Sequence, residues 1–266
     1  MPRWLWFSLP ALIPVGVFVA WHVLGNPSGG GGHLPRPEVV AATVWRLFES
    51  GEMTRHSWIS LQRALGGLLL GGSIGLGLGL LNGYWRLAER LTDTSVQMVR
   101  NIPHLALMPL TVLWFGLGEE SKVFLVALGV LFPMYVNTFH GVRSIDPGLL
   151  EMGKLYGLSS LGVFRHMVLP GALPSILVGV RYALGTMWLT LIVAETLGAD
   201  SGIGYLAMNA REFMQTDVVL VSIVLYAALG KLADSTARLL ERRWVNWDPR
   251  HWRRAPAPVS SGAAVT

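Results

Sequence analysis

The sequence predicts an all-α membrane protein that crosses the bilayer about six times, and two observations support this fold class. Of the 266 residues, 52% are hydrophobic and only 14% are charged, whereas soluble domains carry about 25% charged residues. The apolar residues are also grouped in long stretches, and a helix needs about 20 residues to cross a bilayer. Much of the protein surface is therefore expected to face lipid.

Six apolar stretches are candidates for these spans. They cover residues 4–24, 61–81, 102–117, 123–140, 173–196 and 217–234. A cleaved signal peptide is the alternative for the first stretch, but Pro10 and Pro14 interrupt its apolar core and no small-x-small cleavage site follows it. The first stretch is therefore predicted to be an uncleaved span.

The positions of lysine and arginine predict the orientation of the spans. With the N-terminus in the cytoplasm, most basic residues between spans fall on the cytoplasmic side, as the positive-inside rule requires. Six spans then return the C-terminus to the cytoplasm, with a basic tail at 242–266. A nucleic-acid-binding tail is the alternative, but a basic segment directly after a span typically anchors the topology. We expect a multi-pass protein of the cell inner (cytoplasmic) membrane with no nucleic-acid partner.

The segment between the first two predicted spans has the spacing of a short amphipathic helix. A turn region rich in glycine and proline precedes residues 37–53, in which Val40, Val44, Leu47 and Phe48 share one helical face. Such a helix is expected to lie along the outer membrane surface.

Glycines recur every four residues along the second predicted span, at Gly67, Gly71, Gly75, Gly79 and Gly83. Four residues turn a helix by about 400°, so these glycines form a slowly drifting groove on one side. In lipid, helices associate where small residues allow two backbones to approach closely. Gly67, Gly71, Gly75 and Gly79 are therefore predicted to form a helix-packing seam.

Two short motifs resemble enzyme signatures, but neither has what the chemistry needs. GGSIG matches the nucleophile elbow of hydrolases, which requires a strand–turn–helix context, whereas Ser73 lies in the middle of a predicted membrane helix. GLLEMGKL at 148–155 matches a phosphate-binding loop except at Leu155, which cannot give a hydroxyl to a magnesium ion. No H-E-x-x-H zinc motif occurs. The sequence therefore predicts no catalytic residue, no metal site and no cofactor in this chain.

The segment around the second motif is predicted to form two short helices joined at a glycine. The Asp-Pro pair at 146–147 supplies an N-cap and a proline at the first helical position. Gly157 supplies a stop, Ser159 or Ser160 a second start, and Pro170 limits the helix that follows. Both helices are expected to project into the cytoplasm between the fourth and fifth spans.

This segment, residues 146–171, resembles the EAA loop of ABC-importer permeases, whose pattern is E-A-A, three residues, G, nine residues and I-x-L-P. Glu151, Gly157, Leu169 and Pro170 occupy matching positions. In that family the loop docks in a cleft of a separate ATPase subunit and carries its motion to the transmembrane helices. The resemblance implies a coupling site made of Glu151, Gly157, Leu158, Ser159, Phe164, Leu169 and Pro170.

The match to the loop has three departures, because Met152 and Gly153 replace the two alanines and Met167 replaces the isoleucine. The resemblance nevertheless extends well beyond the loop. Segments 100–122 and 187–217 look like the aliphatic sulfonate branch of these permeases, to which taurine, nitrate and pyrimidine-precursor permeases also belong.

This resemblance implies a type I ABC-importer permease fold, with a core at 57–241 between an N-terminal anchor and external amphipathic segment at 1–56 and the basic tail. It implies import of aliphatic sulfonates delivered by a solute-binding protein, with taurine, nitrate or another small organic anion as alternatives. Two copies of a separate ATP-binding subunit would hydrolyse ATP, and a second permease copy would complete the pathway. A secondary transporter is the alternative from another class, but the two halves of the sequence show no repeat.

Polar residues within the predicted spans are candidates for the translocation path, because a polar group in lipid is costly. The candidates are Glu195, Trp188, Asn101, His104 and Asn137. Asn101, His104 and Asn137, together with His140, are predicted to cluster near the cytoplasmic ends of the third and fourth spans. Interhelical hydrogen bonds are the alternative role for such residues.

The last two predicted spans contain charged residues, and their spacing along a helix limits which of them can pair. Arg181 lies fourteen residues before Glu195, about 21 Å along a helix, so these two side chains cannot pair with each other. Lys231 and Asp234, at positions i and i+3, are predicted to pair on the last span.

Overall fold

The computed structural model describes residues 3–26 and 34–245, and within these ranges the chain is helical with no β-strand. Its α-helices are α1 (Arg3–Leu24), α2 (Pro37–Glu49), α3 (Glu52–Tyr84), α4 (Arg86–Arg100), α5 (Met108–Phe115), α6 (Glu119–Arg143), α7 (Pro147–Leu155), α8 (Ser160–Val163), α9 (Leu169–Thr196), α10 (Ile203–Glu212) and α11 (Thr216–Trp244). A 3₁₀ helix, His104–Leu107, precedes α5, and a π-helical turn, Phe164–Val168, joins α8 to α9. The all-α prediction is confirmed, and most of the tail at 242–266 lies outside the described residues.

The helices α3 and α6 run parallel and touch along a row of glycines. Successive glycines of α3 face successive turns of α6: Gly67 faces Val126, Gly71 Ala127, Gly75 Leu131, Gly79 Thr138 and Gly83 Val142. A Cβ atom on Gly71 or Gly75 would overlap a backbone carbonyl oxygen of α6. The structure thus places the four predicted seam glycines where two backbones meet, which is how membrane helices pack closely.

The helix α9 runs antiparallel to α6 and completes the core. Ser175, near the start of α9, lies against Gly141, and Thr190, near its end, lies against Gly129. The buried side chains among the three helices are mainly valine, alanine and methionine. We name the two ends of this bundle by what they carry: the Glu195 end, where α6 begins and α9 ends, and the hairpin end, which carries α7 and α8.

The chain returns from the hairpin end to the Glu195 end through α4, the 3₁₀ helix and α5. Successive residues of this segment contact α6 at positions that run from its last turn toward its first. The contacts with α6 are those of Glu89 with Arg143, Asp93 with Tyr135, His104 with Gly129 and Phe115 with Phe124. The prediction of one continuous span at 102–117 is therefore wrong. The 3₁₀ helix and the eight residues of α5 are too short to cross a bilayer and supply only the second half of the crossing.

The sequence did not reveal α4 as part of this crossing because the polar face of α4 is turned inward. Tyr135 of α6 donates a hydrogen bond of 2.6 Å to Asp93, and Thr92 donates one of 2.9 Å to Asn82 of α3. The large apolar side chains of α4 are exposed instead. A charged and polar segment of this kind is normally assigned to a loop, and only the polar partners on α3 and α6 make it part of the bundle.

Four helices in the described part of the chain are long and apolar enough to cross a membrane: Glu52–Tyr84, Glu119–Arg143, Ser160–Thr196 and Thr216–Trp244. They contain the predicted second, fourth, fifth and sixth spans. The helix α1 coincides with the first predicted span, and its 22 residues extend about 33 Å.

The amphipathic helix predicted at 37–53 is present as α2, but protein rather than the membrane surface covers its apolar face. Val40 and Leu47 are buried in a cluster with Leu206 of α10 and with residues of α11. Phe48, predicted on the same face, is 56% exposed. The sequence analysis did not predict α10. Because α10 helps to cover the apolar face of α2, that face lies against protein rather than against the membrane surface.

Gly71→Ala should destabilise the bundle, because the new Cβ would overlap the backbone of Ala127. Overpacking of this kind costs about 1–3 kcal/mol. The midpoint of thermal unfolding of the detergent-solubilised protein measures the effect. Gly77→Ala is the matched control, because no atom lies within 4 Å of its Cβ position and alanine favours a helix. Equal midpoints for the two variants would show that α3 and α6 do not approach this closely.

Candidate functional site

The helices α7 and α8 form a hairpin, and each begins at a capping residue within the hairpin itself. Asp146 accepts a hydrogen bond of 2.8 Å from the N–H of Gly148, with Pro147 at the first helical position. The hydroxyl of Ser159 accepts a hydrogen bond of 3.2 Å from the N–H of Gly162 and starts α8. These local bonds satisfy helix-start N–H groups without help from the rest of the bundle.

Gly157 makes the turn between α7 and α8. Its φ angle is +78°, in the left-handed region that favours glycine. No atom lies within 4 Å of its Cβ position. The N–H of Leu158, which is half-buried, donates a hydrogen bond of 3.1 Å to the carbonyl of Gly153, as in helix ends that use a left-handed glycine. A larger residue would have room but would strain the backbone, so the angle between the helices depends on this glycine.

The helix that starts at Ser160 does not end near Pro170, so the expectation that proline limits it is wrong. α8, the π-helical turn and α9 form one continuous helix, Ser160–Thr196. Proline has no N–H to donate to the preceding turn, and the widened π turn directly before Leu169 and Pro170 accommodates that missing bond. The hairpin is therefore joined through a continuous helix to the far end of the bundle.

One side of the hairpin presents large apolar side chains to its surroundings. Leu155, Tyr156 and Leu161 are 87%, 81% and 73% exposed. Glu151 on α7 is exposed as well. Exposed apolar side chains grouped beside charged ones are typical of a protein interaction surface.

The other side of the hairpin packs onto the bundle. Phe164 meets Tyr84 of α3 edge to face, with ring centroids 5.4 Å apart, and the Tyr84 hydroxyl donates a hydrogen bond of 3.2 Å to the carbonyl of Ser160. Gly153 lies against Met167. Gly153 and Met167 are two of the three departures from the EAA pattern, and they contact each other. Because Gly153 has no side chain, the thioether of Met167 fits beside it. These contacts and the continuous helix join the hairpin to both α3 and α9.

At the Glu195 end, a buried ion pair joins α3 to α9. Arg63 and Glu195 are 2% and 1% exposed, and Arg63 Nη1 donates a hydrogen bond of 2.8 Å to Glu195 Oε1. Arg63 also forms a two-pronged ion pair with Glu119, the first residue of α6. One guanidinium therefore ties together all three core helices.

Both carboxylate oxygens of Glu195 are hydrogen-bonded. Ser60 Oγ lies 2.8 Å from each oxygen, and the Tyr226 hydroxyl and the Gly204 N–H each donate a hydrogen bond of 2.9 Å to Oε2. A Cβ on Gly202 or Gly204 would overlap the Glu195 side chain, so these glycines let the start of α10 approach it. A buried carboxylate is stable only with this degree of pairing.

Glu195 and Trp188, both predicted on the translocation path, lie inside the bundle. Glu195 belongs to the buried ion-pair network with Arg63 and Glu119, and neither of those two residues was predicted as a site residue. Trp188 packs against Tyr226, and its indole N–H has no hydrogen-bond partner among the described residues. The position of Arg63 near the start of an apolar stretch was a signal for a buried ion pair. Its partner Glu195 could not be identified from the sequence, because the two residues are far apart in the chain.

The predicted cluster of Asn101, His104 and Asn137 near one end of the bundle is wrong. His104 Nε2 lies 3.1 Å from Thr190 Oγ1. Because Thr190 precedes Glu195 by only five residues on α9, His104 lies toward the Glu195 end. Asn137 donates a hydrogen bond of 2.8 Å to a carbonyl of its own helix, further toward the hairpin end, and Asn101 is exposed. The error arises because α4 carries the chain part of the way along α6 before Asn101.

The predicted pair of Lys231 and Asp234 is also wrong. Asp234 Oδ1 accepts a hydrogen bond of 2.8 Å from Arg181 Nε on α9, and its other oxygen pairs with Arg238 one turn further along α11. An interhelical partner thus replaces Lys231, which is exposed.

Neither a phosphate site nor a metal site is found at the hairpin. Residues 148–155 lie within α7, whereas a phosphate-binding loop must expose its backbone N–H groups. Over residues 3–26 and 34–245, no three histidine, cysteine or acidic side chains are grouped closely enough to hold a metal ion.

Glu195→Gln should destabilise the fold, because it removes a buried counter-charge from Arg63. Breaking a buried ion pair costs about 3–5 kcal/mol, and the lower end is expected here because Glu119 still faces Arg63. The midpoint of thermal unfolding in detergent measures the loss. Glu212→Gln, at an exposed position on α10, is the control and should leave the midpoint unchanged. A Glu195→Gln midpoint equal to that of the wild type would show that this network adds no net stability.

Comparison with known proteins identifies the family. Residues 59–246 match the family described as binding-protein-dependent transport system inner membrane component. The chain is 59% identical to the putative aliphatic sulfonates transport permease protein SsuC of Escherichia coli strain K12, over 94% of this chain and 95% of that protein. The protein of the same name from Bacillus subtilis strain 168 is 44% identical, over 89% of this chain and 86% of that protein.

Solved structures share the fold at low sequence identity. The chain of an amino acid ABC transporter superposes with a TM-score of 0.60 at 17% identity, covering 76% of this chain and 96% of that chain. The MetNI methionine ABC transporter in an inward-facing conformation gives a TM-score of 0.54 at 20% identity, covering 69% of this chain and 93% of that chain. Together with the sequence matches, these findings show that the chain belongs to the family of binding-protein-dependent transport system inner membrane components.

Proposed function

We propose that this chain is the permease subunit of an ATP-driven importer that carries aliphatic sulfonates across the cytoplasmic membrane. The observation that carries the proposal is 59% identity, over 94% of the chain, to a protein named as an aliphatic sulfonates transport permease. The taurine transport system permease protein TauC of Escherichia coli strain K12 is 33% identical over 80% of this chain and 80% of that protein. Taurine, nitrate or another small organic anion is therefore the alternative substrate.

The hairpin of α7 and α8 is the proposed contact with a separate ATP-binding subunit. Its exposed Leu155, Tyr156 and Leu161 supply apolar anchors for a partner. The continuous helix Ser160–Thr196 supplies a connection from that contact to the Glu195 end. ATP hydrolysis is assigned to the partner, because residues 148–155 form a helix rather than a phosphate-binding loop.

The hairpin end is proposed to face the cytoplasm and the Glu195 end the opposite side. Exposed basic residues are concentrated toward the hairpin end, at Arg86, Arg143, Lys154, Arg165, Arg242 and Arg243. The positive-inside rule favours the cytoplasmic side for such an end. Both chain termini then lie in the cytoplasm, and a solute-binding protein delivers substrate at the Glu195 end.

The proposed assembly contains a second copy of this chain and two copies of the ATP-binding subunit, with a solute-binding protein on the other face. Each copy of the chain offers one hairpin to one ATP-binding subunit. Movement of the two ATP-binding subunits could then open the path between the two copies to one side of the membrane and afterwards to the other. The chain itself would need no cofactor, since the nucleotide binds to the partner.

Proteoliposomes that contain the chain and its ATP-binding subunit should take up labelled ethanesulfonate when the solute-binding protein is supplied on one side and ATP on the other. Unlabelled taurine and nitrate, added as competitors, show whether the path accepts the alternative anions. Uptake that needs an ion gradient but not ATP would contradict the proposal and favour a secondary transporter.

Gly157→Val should uncouple transport from ATP hydrolysis. A residue with a Cβ adopts the left-handed conformation at a cost of about 1 kcal/mol or more, and relief of that strain would turn α8 away from its site on the ATP-binding subunit. Uptake and the stimulation of hydrolysis by loaded solute-binding protein should both fall several-fold, while the basal hydrolysis rate persists.

Gly51→Val is the matched control for this coupling test. Gly51 also has a φ angle of +78° with no atom within 4 Å of its Cβ position, but it lies between α2 and α3, far from the hairpin. Backbone strain is therefore the same, and substrate-stimulated hydrolysis should be retained. Full stimulation in Gly157→Val, or equal loss in both variants, would show that the hairpin angle is not what couples the subunits.

A further inference from the structure

A cavity of about 530 Å³ lies on the surface of the bundle between α9 and α11. Its lining includes Arg181, Tyr182, Gly185 and Thr186 of α9, with Gly230 and Asp234 of α11. We call it the α9–α11 cavity. Its volume falls within the range of small-molecule sites, about 300–1,000 Å³.

Arg181 brings a positive charge to this cavity at a depth where lipid would not accept it. Gly179, two residues earlier on α9, packs against Pro133, near the middle of α6. Arg181 is also fourteen residues, about 21 Å, from Glu195. The Arg181 side chain is 49% exposed. A charged group at such a depth faces protein or water rather than lipid, so the cavity is expected to open on an aqueous path or on a second copy.

The guanidinium of Arg181 has unused hydrogen-bonding capacity. Its Nε donates a hydrogen bond of 2.8 Å to Asp234, a carboxylate that also pairs with Arg238. Nη1 and Nη2 of Arg181 donate no hydrogen bond to any residue in the described part of the chain. These two groups present N–H donors in the fork geometry that recognises two oxygens of an oxyanion.

Asp234 is shared between two arginines. It pairs with Arg181 in the lining and with Arg238, which lies outside the lining, so these three side chains together keep one positive charge. Glu241 also lines the cavity, and the lining itself therefore carries one positive and two negative side chains. An anion such as a sulfonate would meet the positive charge at the terminal nitrogens of Arg181.

Two glycines on facing helices keep the cavity open. No atom lies within 4 Å of the Cβ position of Gly185 or of Gly230. Glycine within a helix costs about 1 kcal/mol relative to alanine, and neither glycine is needed for close packing in the described structure. The space beside Arg181 is therefore kept free of side chains on both walls.

We propose that the α9–α11 cavity is an anion site on the translocation path, where Arg181 binds the sulfonate head of the substrate through Nη1 and Nη2. Asp234 holds the guanidinium in place through Nε. This inference rests on the proposed function and deepens it, because it names the group of this chain that recognises the substrate within the membrane.

The competing role for Arg181 is a structural ion pair that joins α9 to α11. The two roles differ in what Asp234 contributes. If the pair is structural, neutralising either partner leaves an unpaired charge and lowers uptake. Neutralising both partners removes the unpaired charge, and uptake recovers. An anion site depends on Arg181 far more than on Asp234, and neutralising both partners restores nothing.

The complete transporter in proteoliposomes, supplied with solute-binding protein, distinguishes these roles. Uptake of whichever of ethanesulfonate, taurine or nitrate the wild type imports is measured for Arg181→Gln, Asp234→Asn and the double variant. Loss of a charge-assisted hydrogen bond should lower uptake about tenfold in Arg181→Gln and in the double variant, whereas Asp234→Asn should stay within about threefold of the wild type. Stimulation of ATP hydrolysis by loaded binding protein should persist in all three, because the hairpin is unchanged.

Two outcomes of this experiment would overturn the proposal. One is unchanged uptake in Arg181→Gln. The other is equal loss in the two single variants together with recovery in the double variant, which is the pattern of a structural pair. A wild-type transporter that imports none of the three anions would instead overturn the proposed function itself.

Filling the cavity tests the same site without changing any charge. Gly185→Leu and Gly230→Leu place the new Cβ where no atom lies within 4 Å and should fold normally, yet both should lower uptake because leucine occupies the space beside Arg181. Gly77→Leu on α3, where the Cβ position is equally free of contacts, is the control and should transport normally. Normal uptake in both cavity variants would show that the anion does not pass through the α9–α11 cavity.

Discussion

The direct contact between the backbones of α3 and α6 sets the geometry of the rest of the bundle. Apolar side chains gain nothing by leaving lipid for each other, so helices in a membrane associate through close packing. Gly71 and Gly75 permit that packing because they have no side chain. A Cβ atom at either position would overlap a backbone carbonyl oxygen of α6. α9 then packs against α6, and its two ends emerge at Glu195 and at the hairpin.

The two ends of the bundle are built from different interactions. At the Glu195 end, Arg63 is bonded to Glu119 and Glu195, so the three core helices are held by charges that are costly to separate. At the hairpin end, caps and one left-handed glycine shape α7 and α8, and large apolar side chains remain exposed. The first arrangement suits a fixed end of the bundle, and the second suits a surface that binds a partner.

Polar residues in the middle of the bundle are mostly satisfied by partners on neighbouring helices. Asn82, Asp93 and Tyr135 form one such group and hold the inward face of α4 against α3 and α6. Arg181 differs, because among the described residues its Nε has a hydrogen-bond partner and its two terminal nitrogens have none. This difference separates a polar group that holds the fold from one that is available to a ligand.

The all-α membrane fold, the glycine row on α3 and the capped hairpin could be predicted from the sequence, because each depends on residues close together in the chain. Helical periodicity, the turn at Gly157 and the cap at Ser159 are local properties that tertiary packing does not override. The partners of Arg63, Arg181 and α4 could not be predicted in this way. These partners stand on other helices, and the burial of a charge or a polar face depends on where those helices place its counter-charge.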